Sequence, residues 1–444
     1  MKSVSGRPVL VSLVLAALAV FGGSGLHADP LPAGWQASNV RPVGFLNIPG
    51  PRTFKLGLKP HDGRWYLFVA SGQGGPVSLD RPDTGFTVVD VTDPAKPRLV
   101  KQVFVSRGAG QLTLHDNLLI AGQQMPQPAL DAPDSVLRQR NDMATFFDIS
   151  NPENPVKLST WNTEGWGTHR NGYPGGRYAF MSALVPGFRG NTTILVILDV
   201  SNPQAPREVG RWWRPGHATN EPPASMLFGH HGPGFLQPDG KTLTVGYVPG
   251  VTNLDISDPA HPKVVGELLF SPLPDLGQQA LHTASPLPNG HLTVSTEPRS
   301  QGCDSESPAF AAVVDNRDLA NPKLVSFYPR PTPPKNAPYR SFCEKEGRFG
   351  PHNVNTEFHE EGVEPPSSRV FMTYFNAGMR VYDVSDTHFP TEIGWFLPKM
   401  GAWKDGARGL EDVLVDTRGF AYVTDGLQGL WIVRFTGSEP PKAR

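Results

Sequence analysis

Cysteine is scarce in this chain, with two in 444 residues, and no apolar run of 18 residues follows the first thirty. A membrane-embedded mature protein is thereby disfavoured. Charge of one sign is lacking too. The net charge is −1 and the pI near 6.9, with no basic run beyond the extreme N-terminus, so nothing electrostatic points to a nucleic-acid partner. Patterns for long helices are few. The mature chain holds no G-x-S-x-G elbow and no phosphate loop, and no dinucleotide fingerprint follows a strand, which disfavours serine-hydrolase and nucleotide chemistry.

What is abundant is turn chemistry: 47 Gly and 47 Pro, beside 38% hydrophobic residues that suffice for a core. One phrase recurs, as VDVTDPAKP at 89–97, FDISNPENP at 147–155, LDVSNPQAP at 198–206 and LDISDPAHP at 254–262, with looser copies at Asp315 and Asp383. The aspartates are separated by 58 (148−90), 51 (199−148), 56 (255−199), 60 (315−255) and 68 (383−315) residues. That period suits a four-stranded propeller blade with long loops. Each copy reads as a β-branched strand entering Asp, a Ser or Thr turn, and two prolines that stop the ladder. The aspartates are read as structural, accepting from backbone amides of the turn. In the copies at Asp315 and Asp383 the departures predict looser turn geometry.

The phrase resembles the LVIVD-repeat family of extracytoplasmic β-propellers, over roughly 40–435. The resemblance implies the fold and supplies no activity or catalytic residue to carry over. A seventh unit, 419–435, lacks an outer strand, whereas Arg41–Leu46 repeats the outer-strand wording of Arg207–Trp212 with no blade before it. The expectation is an all-β, seven-bladed propeller at 40–437, its last blade completed by the N-terminal strand so that no sheet edge is left open. Residues 29–39 are read as a linker and 438–444 as a tail.

Residues 1–28 read as a secretory signal: Lys2 and Arg7, an apolar stretch from Val9 to Phe21, and a cut after Ala28. Leu26 is bulky for that cut, so a retained anchor is the alternative. Export to the periplasm or cell exterior is expected. In such a compartment Cys303 and Cys343 pair, closing a loop of about 40 residues worth about 3–4 kcal/mol in a chain-entropy account. Free or metal-binding thiols are the competing reading. The sequon Asn191–Thr193 matters only in a eukaryotic source.

A second regularity carries the functional argument. Before successive innermost strands stand a small residue, a variable one and a ligand-type one: Gly167-Thr168-His169, Gly229-His230-His231, Ala280-Leu281-His282, Gly350-Pro351-His352 and Gly409-Leu410-Glu411. Innermost strands line a propeller's channel, so these positions form a ring about the axis. Four imidazoles and a carboxylate suit iron, copper, zinc or manganese and suit magnesium or calcium poorly. Glu411, Asp412, Glu357 and Glu297 are candidate acceptors for the second ring nitrogens. In architecture only, without shared motifs, the ring is similar to propellers that hold iron through four axial histidines, such as carotenoid-cleaving oxygenases. The competing reading is that each histidine hydrogen-bonds a neighbouring blade. The spacing from ligand to turn glycine varies from 7 (176−169) to 10 (362−352), which predicts that some members lie off the axis.

His169, His231, His282 and His352 are therefore the candidate metal ligands, with Glu411, Asp412 and Arg170 as candidate catalytic residues. Trp166, His230 and Arg299 are candidate substrate contacts, His230 equally placed to point between blades. Long loops at 123–139, 214–228, 298–308 and 329–349 bring Arg138, Arg140, Trp213, Arg214, Arg299, Tyr339, Arg340 and Lys345, read either as a rim for an anionic or aromatic small molecule or as solubilising surface. His115 reads as a turn residue. His61, His261, His291 and His388 read as solvated, and His359 lacks the second histidine of a zinc-protease helix. Three function classes stand: a metal-dependent oxidoreductase, hydrolase or lyase acting on a small molecule, a ligand- or metal-binding protein without turnover, and a protein-interaction scaffold.

Overall fold

The computed structural model describes residues 29–441 except 51, 72–84, 106–108, 124–143, 163–164, 190–192, 225–228, 248–249, 271–280, 299–302, 304–308, 346, 400–408 and 427–428. Seven antiparallel four-stranded sheets follow one another around a ring. Blades one to five span 53–104, 111–161, 167–212, 230–269 and 281–327; blades six and seven are built on 369–397 and 410–435. Helix is confined to short 3-10 turns among the described residues, and none is long and apolar enough to cross a membrane.

Val40–Leu46 pairs with Gly429–Phe435 as the outer strand of blade seven, in register from Val40 opposite Phe435 to Leu46 opposite Leu430. Within the segment read as a linker, Gln36–Ser38 adds an outer strand to blade six, with Gln36 opposite Leu397. At the opposite edge of blade six the expected innermost strand is reduced. Val354 makes one bridge to Met372 and the chain then turns through Asn355–Glu357.

The repeated phrase folds as its residue types require. Asp90, Asp148, Asp199, Asp255, Asp315 and Asp383 each accept from the amide two residues on, at 2.7–3.0 Å. Three residues later Asp93, Asn151, Asn202, Asp258, Asp318 and Asp386 do the same at 2.9–3.2 Å. These paired side-chain turns set the corner into each outer strand. The looser turns expected at Asp315 and Asp383 do not appear, because both acceptors survive in both copies.

Among the described residues no single core exists. Seven apolar clusters lie between neighbouring blades, such as Ile120, Phe146, Met181 and Val196 between blades two and three, or Leu56, Leu67, Leu414 and Ile432 across the closure from seven to one. Blades approach closely where an outer strand meets the next blade's turn. A Cβ on Gly210 would fall 1.7 Å from the carbonyl oxygen of Pro259, and one on Gly266 2.4 Å from that of Ala320. Gly210→Ala therefore forces two blades apart at a point of backbone contact, and a loss of about 1–3 kcal/mol is expected. The check is a lowered urea midpoint with an unchanged slope.

Cys303 and Cys343 are joined in a disulfide, with Cα atoms 5.4 Å apart. It ties the loop that follows Glu297 to the segment that leads to Arg348 and His352.

Candidate functional site

The ligand-type residues sit where innermost strands depart from regular pairing. In blade four the step from His230 to Gly234 faces only the step from Tyr247 to Val245. In blade five the slip falls between Leu281 and Thr283, in blade seven between Leu410 and Val413, and in blade one between Thr53 and Leu56. Such bulges re-aim a side chain. They turn His231, His282, Glu411 and Asp412, and Lys55 away from the ordinary alternation, and they absorb the variable spacing that predicted off-axis members.

The four candidate ligands form a continuous arc. The Nε2 atoms of His169 and His231 are 3.0 Å apart, with ring centroids at 4.4 Å. His231 and His282 follow at 4.4 Å, and His282 and His352 at 4.5 Å. Glu297, at the end of the second strand of blade five, reaches the same place. Its Oε2 lies 3.8 Å from His231 Nε2 and 4.0 Å from His282 Nε2, and its Oε1 lies 3.8 Å from His352 Nε2. Ligand atoms of His231, His282 and Glu297 all fall within 4.8 Å of one another. These gaps exceed hydrogen-bond length and match groups that share an ion at about 2.0–2.2 Å each.

The second ring nitrogens show which way the imidazoles are wired. His352 Nδ1 is 2.7 Å from the Glu411 carbonyl oxygen, which only accepts, so Nδ1 carries the proton and Nε2 keeps its lone pair. His282 Nδ1 is 2.9 Å from Thr283 Oγ1, whose hydroxyl in turn donates to Glu357 Oε1 at 3.0 Å. Arg170 Nη1 also lies 3.2 Å from this nitrogen, but its two hydrogens go to closer carbonyls, Gly232 O at 2.7 Å and His282 O. The network thus assigns the Nδ1–H form to His282 as well. Two lone pairs converge beside Glu297.

Behind the arc lies a buried charge network. Arg170 binds carbonyls in blades four and five, Asn353 Oδ1 at 3.0 Å and the Glu357 carboxylate. Lys55 Nζ reaches Glu357 Oε2 at 2.8 Å and Asp412 Oδ1 at 3.3 Å, while Asp412 also accepts from Leu56 N at 2.9 Å. Burial alone would raise Glu357, but Arg170 and Lys55 more than offset it and hold the carboxyl at about 2. Burial likewise opposes ionisation of Glu297, and the Arg348 guanidinium with His352 brings it to about 2. Asp412 is raised by burial, despite Lys55.

Of the residues read as catalytic, Arg170 is held through both Nη atoms and Asp412 through both carboxylate oxygens in this network, which suits positioning roles. Glu411 orients His352 through its carbonyl, and its carboxylate pairs with Arg52 at 3.2 Å. His230 is not a substrate contact: it is fully buried, 6.4 Å from and nearly parallel to the Tyr247 ring between blades three and four. Trp166 is buried three residues before His169. Arg138, Arg140 and Arg299 lie outside the described residues. The rest of the supposed rim is committed locally, Trp213 to Glu221, Arg214 to Glu267 and Arg340 to Glu344. Tyr339 packs on Phe342, and Lys345 Nζ donates to Asn376 O at 2.6 Å. His291, expected at a solvated turn, is buried at a strand start.

Sequence reasoning missed Lys55, Arg52 and Arg348. The triplet Thr53-Phe54-Lys55 occupies the blade-one bulge, but lysine is not a ligand type and was passed over. Arg348 grips Glu297 and donates from Nε to Pro298 O at 2.7 Å.

A pH dependence follows. Burial lowers His230 to about 3 and holds His282 and His352 below the ordinary histidine value. Unfolded chains take up those protons below about pH 6.5, whereas the folded metal-free protein does not, so acid shifts the balance toward unfolding. Glu360, raised by burial to about 7, acts oppositely between about pH 7 and 4.5. His217, lowered by burial to about 4, and His359 act with these three histidines, while Asp412, Glu364 and Glu392, raised by burial, act with Glu360. With five histidines against four carboxylates among the described residues, the urea midpoint of chelator-treated protein is expected to fall between about pH 7.5 and 5. A rising midpoint would contradict the neutral-imidazole assignment.

The LVIVD repeat family matches residues 82–105, 191–213 and 250–269. No curated protein matches. Among solved structures, a protein from Lactobacillus plantarum aligns over 86% of this chain and 98% of its own, with a TM-score of 0.53 at 11% identity. A functionally unknown protein from Desulfotomaculum acetoxidans aligns over 77% and 85% with a TM-score of 0.45 at 10% identity. The WD40 β-propeller domain of Doa1 aligns over 86% and 96%, also with a TM-score of 0.45 at 10% identity. At these identities the first likeness speaks to fold alone, and the other two carry no argument. Repeat match and sheet topology together identify a chain that carries LVIVD repeats and closes them into a seven-bladed β-propeller.

Proposed function

We propose that this is an exported propeller whose channel mouth holds a transition metal through His169, His231, His282 and His352, with Glu297 in reach, and acts on a small molecule there. The observation that carries the reading is the convergence of histidine Nε2 atoms on the Glu297 carboxylate at 3.8–4.0 Å, with Nδ1–H anchored behind His282 and His352. Iron, copper, zinc and manganese suit this donor set. Bound there, such an ion supplies Lewis-acid, hydrolytic or redox chemistry at an open position, which makes the protein a metal-dependent oxidoreductase, hydrolase or lyase. The chain's own part is orientation: Thr283 and the Glu411 carbonyl fix two rings, and Arg348 holds Glu297. Export is supported by the apolar stretch from Val9 to Phe21 behind Lys2 and Arg7, and by the Cys303–Cys343 bond, which an oxidising compartment sustains.

Metal analysis of untagged protein tests the reading. About one iron, copper, zinc or manganese per chain is expected, held by the imidazoles. Protein that carries no metal, and whose stability is unchanged when these ions are added, defeats it. Turnover of a substrate panel by the loaded protein then separates enzyme from metal-binding protein.

A further inference from the structure

The site's fixed charges are already balanced without a metal. Lys55 and Arg170 pair with Glu357 and Asp412, Arg348 with Glu297, and Arg52 with Glu411. Among the described residues, these four cations face these four carboxylates beside His169, His231, His282 and His352. A divalent ion added to this arrangement brings two positive charges beyond those that the described carboxylates of the site offset. In a desolvated setting an uncompensated charge is costly, and the open coordination position is where an offsetting charge enters.

Arg348 adds a direction to that requirement. Its Nε and Nη2 are used on Pro298 O and Glu297, and no hydrogen bond among the described residues uses its Nη1. The guanidinium lies 4.1 Å over the Phe375 ring, which packs 4.3 Å from His352, and its side chain keeps 18% exposure at the mouth. A partly exposed guanidinium beside these imidazoles is suited to the outer part of an anion.

Resting on the metal reading above, we infer that the substrate is a small anion that ligates through its charged atom, with Arg348 Nη1 donating to it from the rim. A neutral molecule of the same shape leaves the two positive charges uncompensated and is discriminated against.

Cobalt(II)-substituted protein gives a readout independent of turnover, because its visible bands respond to each change in ligation. Titration with acetate and azide is expected to alter the bands, while acetamide, the neutral counterpart of acetate, does not at equal concentration. Arg348→Gln is expected to weaken acetate binding about tenfold and Glu411→Gln, which removes a compensating carboxylate, to tighten it a few-fold, of the order of one charge acting across a partly screened site. Arg52→Gln, which leaves the Glu297 pair intact, carries the same sign as Arg348→Gln should that variant fold poorly. Opposite signs from neutralising a cation and an anion are not produced by simple loss of packing. Acetamide as effective as acetate, or both kinds of substitution moving affinity in one direction, overturns the inference while leaving the metal site standing. Absence of any cobalt band removes the metal site itself, and this inference with it.

Discussion

Replacing His231 and His282 together by alanine is expected to strip the protein of its bound transition metal, with apparent affinity lowered by at least about 100-fold. Even residues that merely support a metal ligand cost 10–100-fold when removed, and these two are the pair whose ligand atoms cluster with Glu297 within 4.8 Å. The change takes out adjacent members of the arc, so the flanking His169 and His352 no longer share an ion with a neighbour. His359→Ala is the control. That ring donates from Nε2 to the Tyr173 carbonyl and stacks 6.2 Å from His115, away from the arc, so its loss leaves metal content unchanged. Inductively coupled plasma analysis of the untagged proteins reads both. Equal metal in the double variant and the parent sinks the assignment.

Glu357→Ala is expected to cost about 3–5 kcal/mol, the penalty for leaving buried charge without its partner. Glu357 takes the guanidinium of Arg170 and the ammonium of Lys55, and all three side chains are at most 8% exposed. Its loss leaves Arg170 without its carboxylate and Lys55 with Asp412 alone, and it also frees the Thr283 hydroxyl that backs His282. Glu357→Gln keeps the shape and an acceptor for Thr283, and it is expected to lose less. Urea unfolding of chelator-treated protein separates this from any metal effect. A loss below about 1 kcal/mol for the alanine variant, within the range of an exposed pair, shows that the network does not brace the axis.

The blade count and the closure were legible because both are written as local wording. The Asp-x-Ser/Thr-Asp/Asn-Pro phrase marks four corners and looser copies at Asp315 and Asp383 mark two more, and Arg41–Leu46 carries the outer-strand pattern without a blade of its own. The histidines were legible because the small residue, variable residue, ligand series recurs at inner-strand starts. Four things were not. Gln36–Ser38 has no apolar alternation to mark it as a strand, and its pairing with the outer strand of blade six is not written in its own three residues. The choice between His230 and His231 depends on a bulge, and a slip of register exchanges the faces of a strand without leaving a trace in composition. Glu297 and Glu357 reach the axis from the end of a second strand and from a 3-10 turn, positions that the ring pattern did not include. Lys55 was hidden by chemistry, since a cation at a ligand position reads as surface until its two carboxylate partners are seen.

The closure has a consequence for how the molecule comes into being. Residues 36–46 leave the ribosome well before their partners, Thr391–Leu397 and Gly429–Phe435, which belong to the two C-terminal blades. Every nascent intermediate therefore keeps two unfinished borders, one at each end, and the contacts that seal them span nearly the full sequence. Bringing such distant segments together incurs the loop-closure entropy of the entire chain before any reward is collected. Completion is a single late event, and truncation at either terminus yields an open arc instead of a smaller ring.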